Sequence, residues 1–157
     1  MALRNIVTEG EEILGKKCRV VEKIDDKIKM ILDDMKDTMR EGDGVGIAAP
    51  QVGLLKRICI MEPEEGVVIE LINPEIIESE GLQEGYEGCL SVPGYIGKVK
   101  RPTRVRVRAL NREGGQENYE FKGFEAVVAS HEIDHLDGIL YTSKAEDIHR
   151  PEEREEA

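Results

Sequence analysis

The 157-residue chain carries 33 acidic and 22 basic residues, a formal net charge of −11, with 39% hydrophobic and 35% charged residues. That balance suits one globular domain with a single sizeable core and leaves little room for a second. It excludes a membrane-spanning helix, which needs roughly 20 consecutive apolar residues, and it opposes DNA, whose phosphates repel an acidic surface over about 8 Å.

Residues 1–10 lack the basic cap and apolar run of a secretory signal, so a cytoplasmic location is expected. Cys18, Cys59 and Cys89 are too few and too unevenly spaced for a disulfide framework, and free thiols fit a reducing compartment. Ile24, Ile28, Ile31, Leu32, Met35 and Met39 then recur at helical spacing behind Asp25 and Asp26, whose charge favours a helix start. An N-terminal amphipathic helix follows, its methionines read as core packing. Gly42, Gly44 and Gly46 end it and open a glycine-rich segment to Gly53.

From Arg57 the texture is β-prone, with runs at Arg57 to Met61 and Val67 to Ile72 punctuated by Pro63, Gly66 and Pro74. Val105, Val107 and Ala109 alternate with Arg104, Arg106 and Arg108, and Asn111 to Gly115 turns the chain back into Tyr119 and Phe121, which predicts a hairpin. Helical period returns at Phe124, Val127, Val128, His131 and His135. The polar, glutamate-rich stretch 146–157, broken by Pro151, is expected to be a flexible tail behind one domain over 1–145. Together these elements predict an α+β fold, with antiparallel or mixed sheets packed around the helix that carries the two histidines.

His131 and His135 lie one helical turn apart in His131-Glu132-Ile133-Asp134-His135, so both imidazoles project from one face and can share a metal ion, with Glu132 beside them. A third ligand is needed. The only later histidine, His149, sits in the polar tail beside Pro151. Upstream, Cys89 lies between Glu87-Gly88 and Leu90-Ser91-Val92-Pro93-Gly94, whose glycines let a backbone approach a site closely. Taken alone, Cys89 reads as a small buried apolar residue. The residues therefore leave open a Cys-His-His hydrolase, a zinc peptidase built on the His-Glu-x-x-His helix, and a structural zinc site in a peptide-binding module. The last favours a fourth protein ligand, for which neither Cys18 nor Cys59 has a supporting motif.

Three segments resemble the signature motifs of peptide deformylases, which remove formate from N-formylmethionyl peptides. They are Gly44-Val45-Gly46-Ile47-Ala48-Ala49-Pro50-Gln51, Glu87-Gly88-Cys89-Leu90-Ser91, and His131-Glu132-Ile133-Asp134-His135-Leu136-Asp137-Gly138. Tyr95 to Val99 followed by Arg101-Pro102 resembles the stretch that follows the cysteine motif in that family. One departure is Ser130, where members usually carry glutamine; it removes no ligand. The resemblance implies a metal held by Cys89, His131 and His135, natively ferrous iron (Fe2+) with Zn2+, Ni2+ or Co2+ as substitutes, although ligand preference alone would suit zinc. It also implies the Gln51 side-chain amide and the Leu90 backbone N–H as oxyanion donors, N-formylmethionyl nascent peptides as partners, and a single catalytic domain. A monomer is expected.

The chemistry needs each of these parts. A formamide carbonyl is a poor electrophile and water a poor nucleophile. A divalent ion held by one thiolate and two neutral imidazoles keeps positive charge and an open position, which lowers the pKa of bound water, the expected nucleophile. Glu132 is placed to accept the water's proton and pass it to the departing amine. Gly44, Val45 and Gly46 offer a backbone edge for strand-like pairing with an extended peptide. Val45, Phe124, Val127 and Val128 are candidates for an apolar slot for methionine, positions that core packing would explain equally well. Glu87 and Gly88 border the same site, and Glu87 with Arg101 is expected to form a supporting ion pair. Arg104, Arg106 and Arg108, extended by Lys98 and Lys100, are either the solvated face of a strand or a transient ribosome contact.

Overall fold

The protein is described here by a computed structural model, which covers residues 2–152. The amphipathic helix α1 spans Asp26–Glu41, its first turn capped by the Asp25 carboxylate, which accepts the Ile28 N–H at 3.1 Å. Its stripe of Ile28, Ile31, Leu32, Met35 and Met39 is buried, as the spacing predicts.

Five strands form an antiparallel sheet in the order β1-β2-β3-β6-β7: β1 (Gly46–Ala48), β2 (Ile58–Glu64), β3 (Val67–Glu80), β6 (Arg104–Leu110) and β7 (Gln116–Lys122). A second sheet has β4 (Gln83–Cys89), β5 (Val92–Arg101) and β8 (Glu146–His149) in that order. The histidine-bearing helix α2 spans Phe124–Leu136. The run Ile58-Cys59-Ile60-Met61 is apolar throughout because both faces of the large sheet are covered. Ile58, Ile60 and Ile72 pack with α1, whereas Cys59, Met61 and Leu71 pack with Ala126, Ala129, Ile133 and Leu136 of α2. Helix α2 is therefore buried nearly all round, which holds its histidines rigidly. Cys18 and Cys59 lie in that core, and burial pushes both thiols upward, Cys18 to about 11.

The hairpin β6–β7 closes as expected, from Arg104 opposite Lys122 to Leu110 opposite Gln116. The arginine stripe is not free. Arg104 pairs with Glu78 and Glu80, Arg106 with Glu78, and Arg108 with Glu75, because β3 runs on past its apolar part and sets those glutamates opposite the arginines.

One expectation needs correction. Residues 146–149, read as the start of a flexible tail, form β8 and pair with β5 through Ile96 opposite His149 and Lys98 opposite Glu146. Backbone bonds make that strand, helped by the Tyr86 hydroxyl donating to Asp147 and by Tyr86 meeting His149 edge-on at 5.6 Å. Gly97 permits the approach, since a Cβ there would come 2.8 Å from that of Ala145. Residues 153–157 of the expected tail lie outside the described residues.

Candidate metal centre

Helix α2 sets the rings of His131 and His135 5.1 Å apart, and the end of β4 brings Cys89 Sγ to 3.4 Å from His135 Nε2. The three ligand atoms lie within 4.8 Å of one another. One half-buried soft sulfur and two buried imidazole nitrogens converge to form a donor set that fits a divalent transition ion. Burial pushes His135 down to about 3, so its ring is neutral, as a ligand must be. For His131 burial acts the same way, but Glu132, Cys89 and Glu87 outweigh it and hold the group up at about 10, so positive charge is favoured at this point. Cys18 and Cys59 take no part in this cluster.

Behind His131 runs a chain of charges. The His131 Nδ1–H donates to Glu87 at 2.8 Å, which fixes the ring with Nε2 toward the cluster. Glu87 accepts a two-pronged bond from Arg101 at 2.8 and 2.9 Å, so the expected ion pair is present, and Arg101 continues to Asp134 at 2.8 Å. Lys144 donates to the same Asp134 oxygen at 2.9 Å. Burial would raise the Glu87 carboxyl, yet the Arg101 and His131 bonds hold it down at about 2. Both Glu87 and Arg101 are buried. Arg101→Ala would strand a carboxylate in the interior, so a loss of about 3–5 kcal/mol in unfolding free energy is expected. Denaturant titration checks it; a change under about 1 kcal/mol would place the pair with weak surface bridges instead.

Glu132 is buried, and its Oε1 has no partner among the described residues. Desolvation raises its carboxyl to about 7. It faces Gly46 of β1, where a Cβ would fall 2.5 Å from Oε2 and 2.9 Å from the carboxyl carbon. The sequence marked Gly46 for ending the helix and for peptide pairing; clearance for Glu132 is a further reason for glycine there. Gly46→Ala is therefore expected to shift the carboxylate and lower turnover by on the order of 10²-fold, with metal content unchanged by elemental analysis.

Gln51 is buried on the 3-10 turn Ala49–Val52 that follows β1. Its Oε1 accepts the Ala48 N–H at 2.9 Å, which fixes the amide orientation and aims Nε2 at Ser91 Oγ, 3.2 Å away, and Cys89 Sγ, 3.4 Å away. Leu90 follows Cys89, its side chain seated over Gly42 and Gly44, where a Cβ would come within 2.8 and 2.9 Å of its methyl groups.

These groups open onto a cleft of about 640 Å³. Gly44, Val45 and Gly46 line it from β1 and the segment before it, Glu87, Gly88 and Leu90 from the end of β4 and just past it, and Phe124, Val127 and Val128 from α2. Val45 and Phe124 are exposed at the mouth, while Val128 is also part of the core. Gln51 and His135 lie beneath the surface of the cleft. Sequence reasoning missed Gly85, Tyr86 and Tyr95 in its wall; Tyr86 and Tyr95 in a glycine-rich stretch were the available signal. Among the described residues, strand β1 pairs only with β2 and β4 only with β5, so the cleft lies beside an unpaired edge of each sheet.

Residues 3–151 match the family model described as polypeptide deformylase. A peptide deformylase of Acetivibrio thermocellus is 56% identical over 144 residues, covering 92% of this chain and 84% of that protein. One from Alkaliphilus metalliredigens is 55% identical over 146 residues, covering 92% and 97%. The crystal structure of peptide deformylase from Thermotoga maritima superposes with a TM-score of 0.89 at 35% identity, covering 92% of this chain and 98% of that one. With a family match over nearly its whole length and three motifs gathered at one site, this chain belongs to the polypeptide deformylase family.

Proposed function

We propose that the chain hydrolyses the formamide of N-formylmethionyl nascent peptides, releasing formate, with Glu132 as general base and then acid. The observation that carries this reading is the buried Glu132 carboxylate, whose Oε1 has no partner among the described residues, lining the cleft beside the Cys89, His131 and His135 cluster. When bound by those three residues, a divalent ion, Fe2+ by family resemblance and Zn2+, Ni2+ or Co2+ as substitutes, supplies a Lewis acid and lowers the pKa of water.

The remaining work falls to the chain. A carboxyl raised to about 7 can take a proton at neutral pH and return it to the leaving amine, the two roles one catalytic group must alternate between. The Gln51 Nε2–H and the Leu90 N–H serve as donors to the oxyanion; both are held in place before reaction, which is what makes such donors effective. A peptide running between the free edges of β1 and β4 would pair with Gly44 to Gly46 and meet Glu87 and Gly88 on the other side, with its methionine against Val45, Phe124, Val127 and Val128. We assign this activity to a cytoplasmic monomer that engages neither DNA nor membrane. Because the arginine stripe is paired with β3 glutamates, it lends little charge to a ribosome contact. Cosedimentation with ribosomes at low salt that disappears on replacing the three arginines by alanine would restore that role.

The test is purification under anaerobic conditions, elemental analysis, and formate release from a formylmethionyl tripeptide. One ion per chain and release of formate equal to peptide consumed are expected. A fully metallated protein that leaves the formyl group in place would overturn the assignment.

A further inference from the structure

The amino-terminal residues tie together parts of the molecule that are far apart in sequence. At one end the Ala2 N–H donates to the Asp34 carboxylate at 3.0 Å, the Arg4 N–H donates to Thr38 Oγ1 at 2.9 Å, and the Arg4 guanidinium pairs with Asp34 at 3.0 Å. Asp34 and Thr38 are buried polar groups on the otherwise apolar face of α1. At the other end the Val7 N–H donates to the Gln51 carbonyl and the Glu9 N–H to the Ser91 carbonyl, both at 2.7 Å. The Glu9 carboxylate accepts from Thr142 Oγ1 at 2.9 Å.

The two carbonyls lie just beyond strands of different sheets. Gln51 sits in the turn that follows β1, and Ser91 sits between β4 and β5. Both residues are buried, so each carbonyl needs its partner. A single residue separates the two donors, so the short backbone between Val7 and Glu9 limits how far apart the two carbonyls can sit. The strap is thus a two-rung spacer, with one rung on the turn that carries the Gln51 amide and the other on the loop that carries Leu90.

We propose that residues 7–9 are a positioning element for catalysis: the Val7 and Glu9 amides set the spacing between the Gln51 carboxamide and the Leu90 N–H, and the Arg4–Asp34 contact holds the strap taut. This rests on the oxyanion roles given to Gln51 and Leu90 above. Such donors lose effect when displaced by fractions of an ångström, whereas peptide binding along β1 and metal ligation use other atoms.

Val7→Pro removes one rung, and Val7→Ala keeps the N–H. Each would be prepared as the metal-loaded full chain and compared for kcat, KM, metal per chain and the nitrogen-15 NMR resonances of the Gln51 side-chain amide. For Val7→Pro, a kcat reduced at least about tenfold, KM within about twofold, unchanged metal content and displaced Gln51 resonances are expected, with Val7→Ala matching wild type. Should Val7→Pro fail to fold, Arg4→Ala slackens the strap at its far end and is expected to move the Gln51 resonances and lower kcat about threefold. Wild-type kcat in the proline variant, a loss confined to KM or metal content, or Gln51 resonances unmoved in Arg4→Ala would overturn the proposal. If wild type itself released no formate, the activity would fall, and the Gln51 resonances would still decide whether the strap positions that amide.

Discussion

Glu132→Ala is expected to retain its metal and to lose formate release by on the order of 10² to 10⁴-fold, the range that positioned acid–base groups contribute. No neighbouring carboxylate can substitute. Glu87 is occupied by Arg101 and His131, which hold it near 2, and Asp134 is engaged by Arg101 and Lys144. Because Glu132 Oε1 has no bond to another described residue, its removal breaks no hydrogen-bond network and should leave the fold intact. Turnover near wild type in a metallated Glu132→Ala protein would remove it from the reaction. Glu132→Gln, which keeps the shape but not the basicity, should be equally slow; recovery there would point to a steric role.

Cys89→Ala is expected to release the ion. It removes the only anionic ligand of the three and leaves two neutral imidazoles, so affinity should drop by more than the roughly 10–100-fold typical of losing an outer-shell partner. The readout is metal per chain after dialysis against a mild chelator, alongside thermal unfolding to confirm that the fold persists. A peptidase-like site resting on the histidine helix would keep its metal in this variant, so stoichiometric retention would sink the Cys-His-His assignment. The Gln51 Nε2–H would also lose one of its two acceptors, and any residual activity should therefore be low even at saturating metal.

The sequence was legible where periodicity reports burial. Ile28 to Met39 predicted α1, Val105 to Phe121 predicted the β6–β7 hairpin, and the histidine spacing located the buried face of α2. It was opaque where backbone bonds and ion pairs do the work. Strand β3 runs to Glu80 because Glu75, Glu78 and Glu80 face arginines, a pattern that resembles a solvated loop when read without its partner strand. Strands β4 and β5 carry Gly85, Gly88, Gly94 and Gly97, which erase the alternation, and β8 has a single apolar residue, Ile148. At the site the Glu87–Arg101 pair could be guessed from charge, but its continuation to Asp134 and Lys144 depends on which helix face meets β5. The N-terminal rungs leave no trace in side-chain chemistry, since any residue but proline can supply them. Ser130 is buried, and its hydroxyl has no partner among the described residues; nothing in the structure explains why serine stands there.

Among the described residues the two sheets each end in an unpaired edge at the cleft, and this has a thermodynamic corollary. A peptide that adds a strand to β1 while touching β4 links two elements that the chain itself leaves unpaired there, so occupancy and rigidity become coupled quantities. Backbone amides of Gly46 and of Gly85 to Gly88 should then exchange with solvent more slowly as a slowly hydrolysed peptide analogue is titrated in, both segments following one saturation curve. The apparent melting temperature should rise with the logarithm of analogue concentration once it exceeds Kd. The enzyme would be most ordered while holding its substrate and would loosen at both edges when the product leaves.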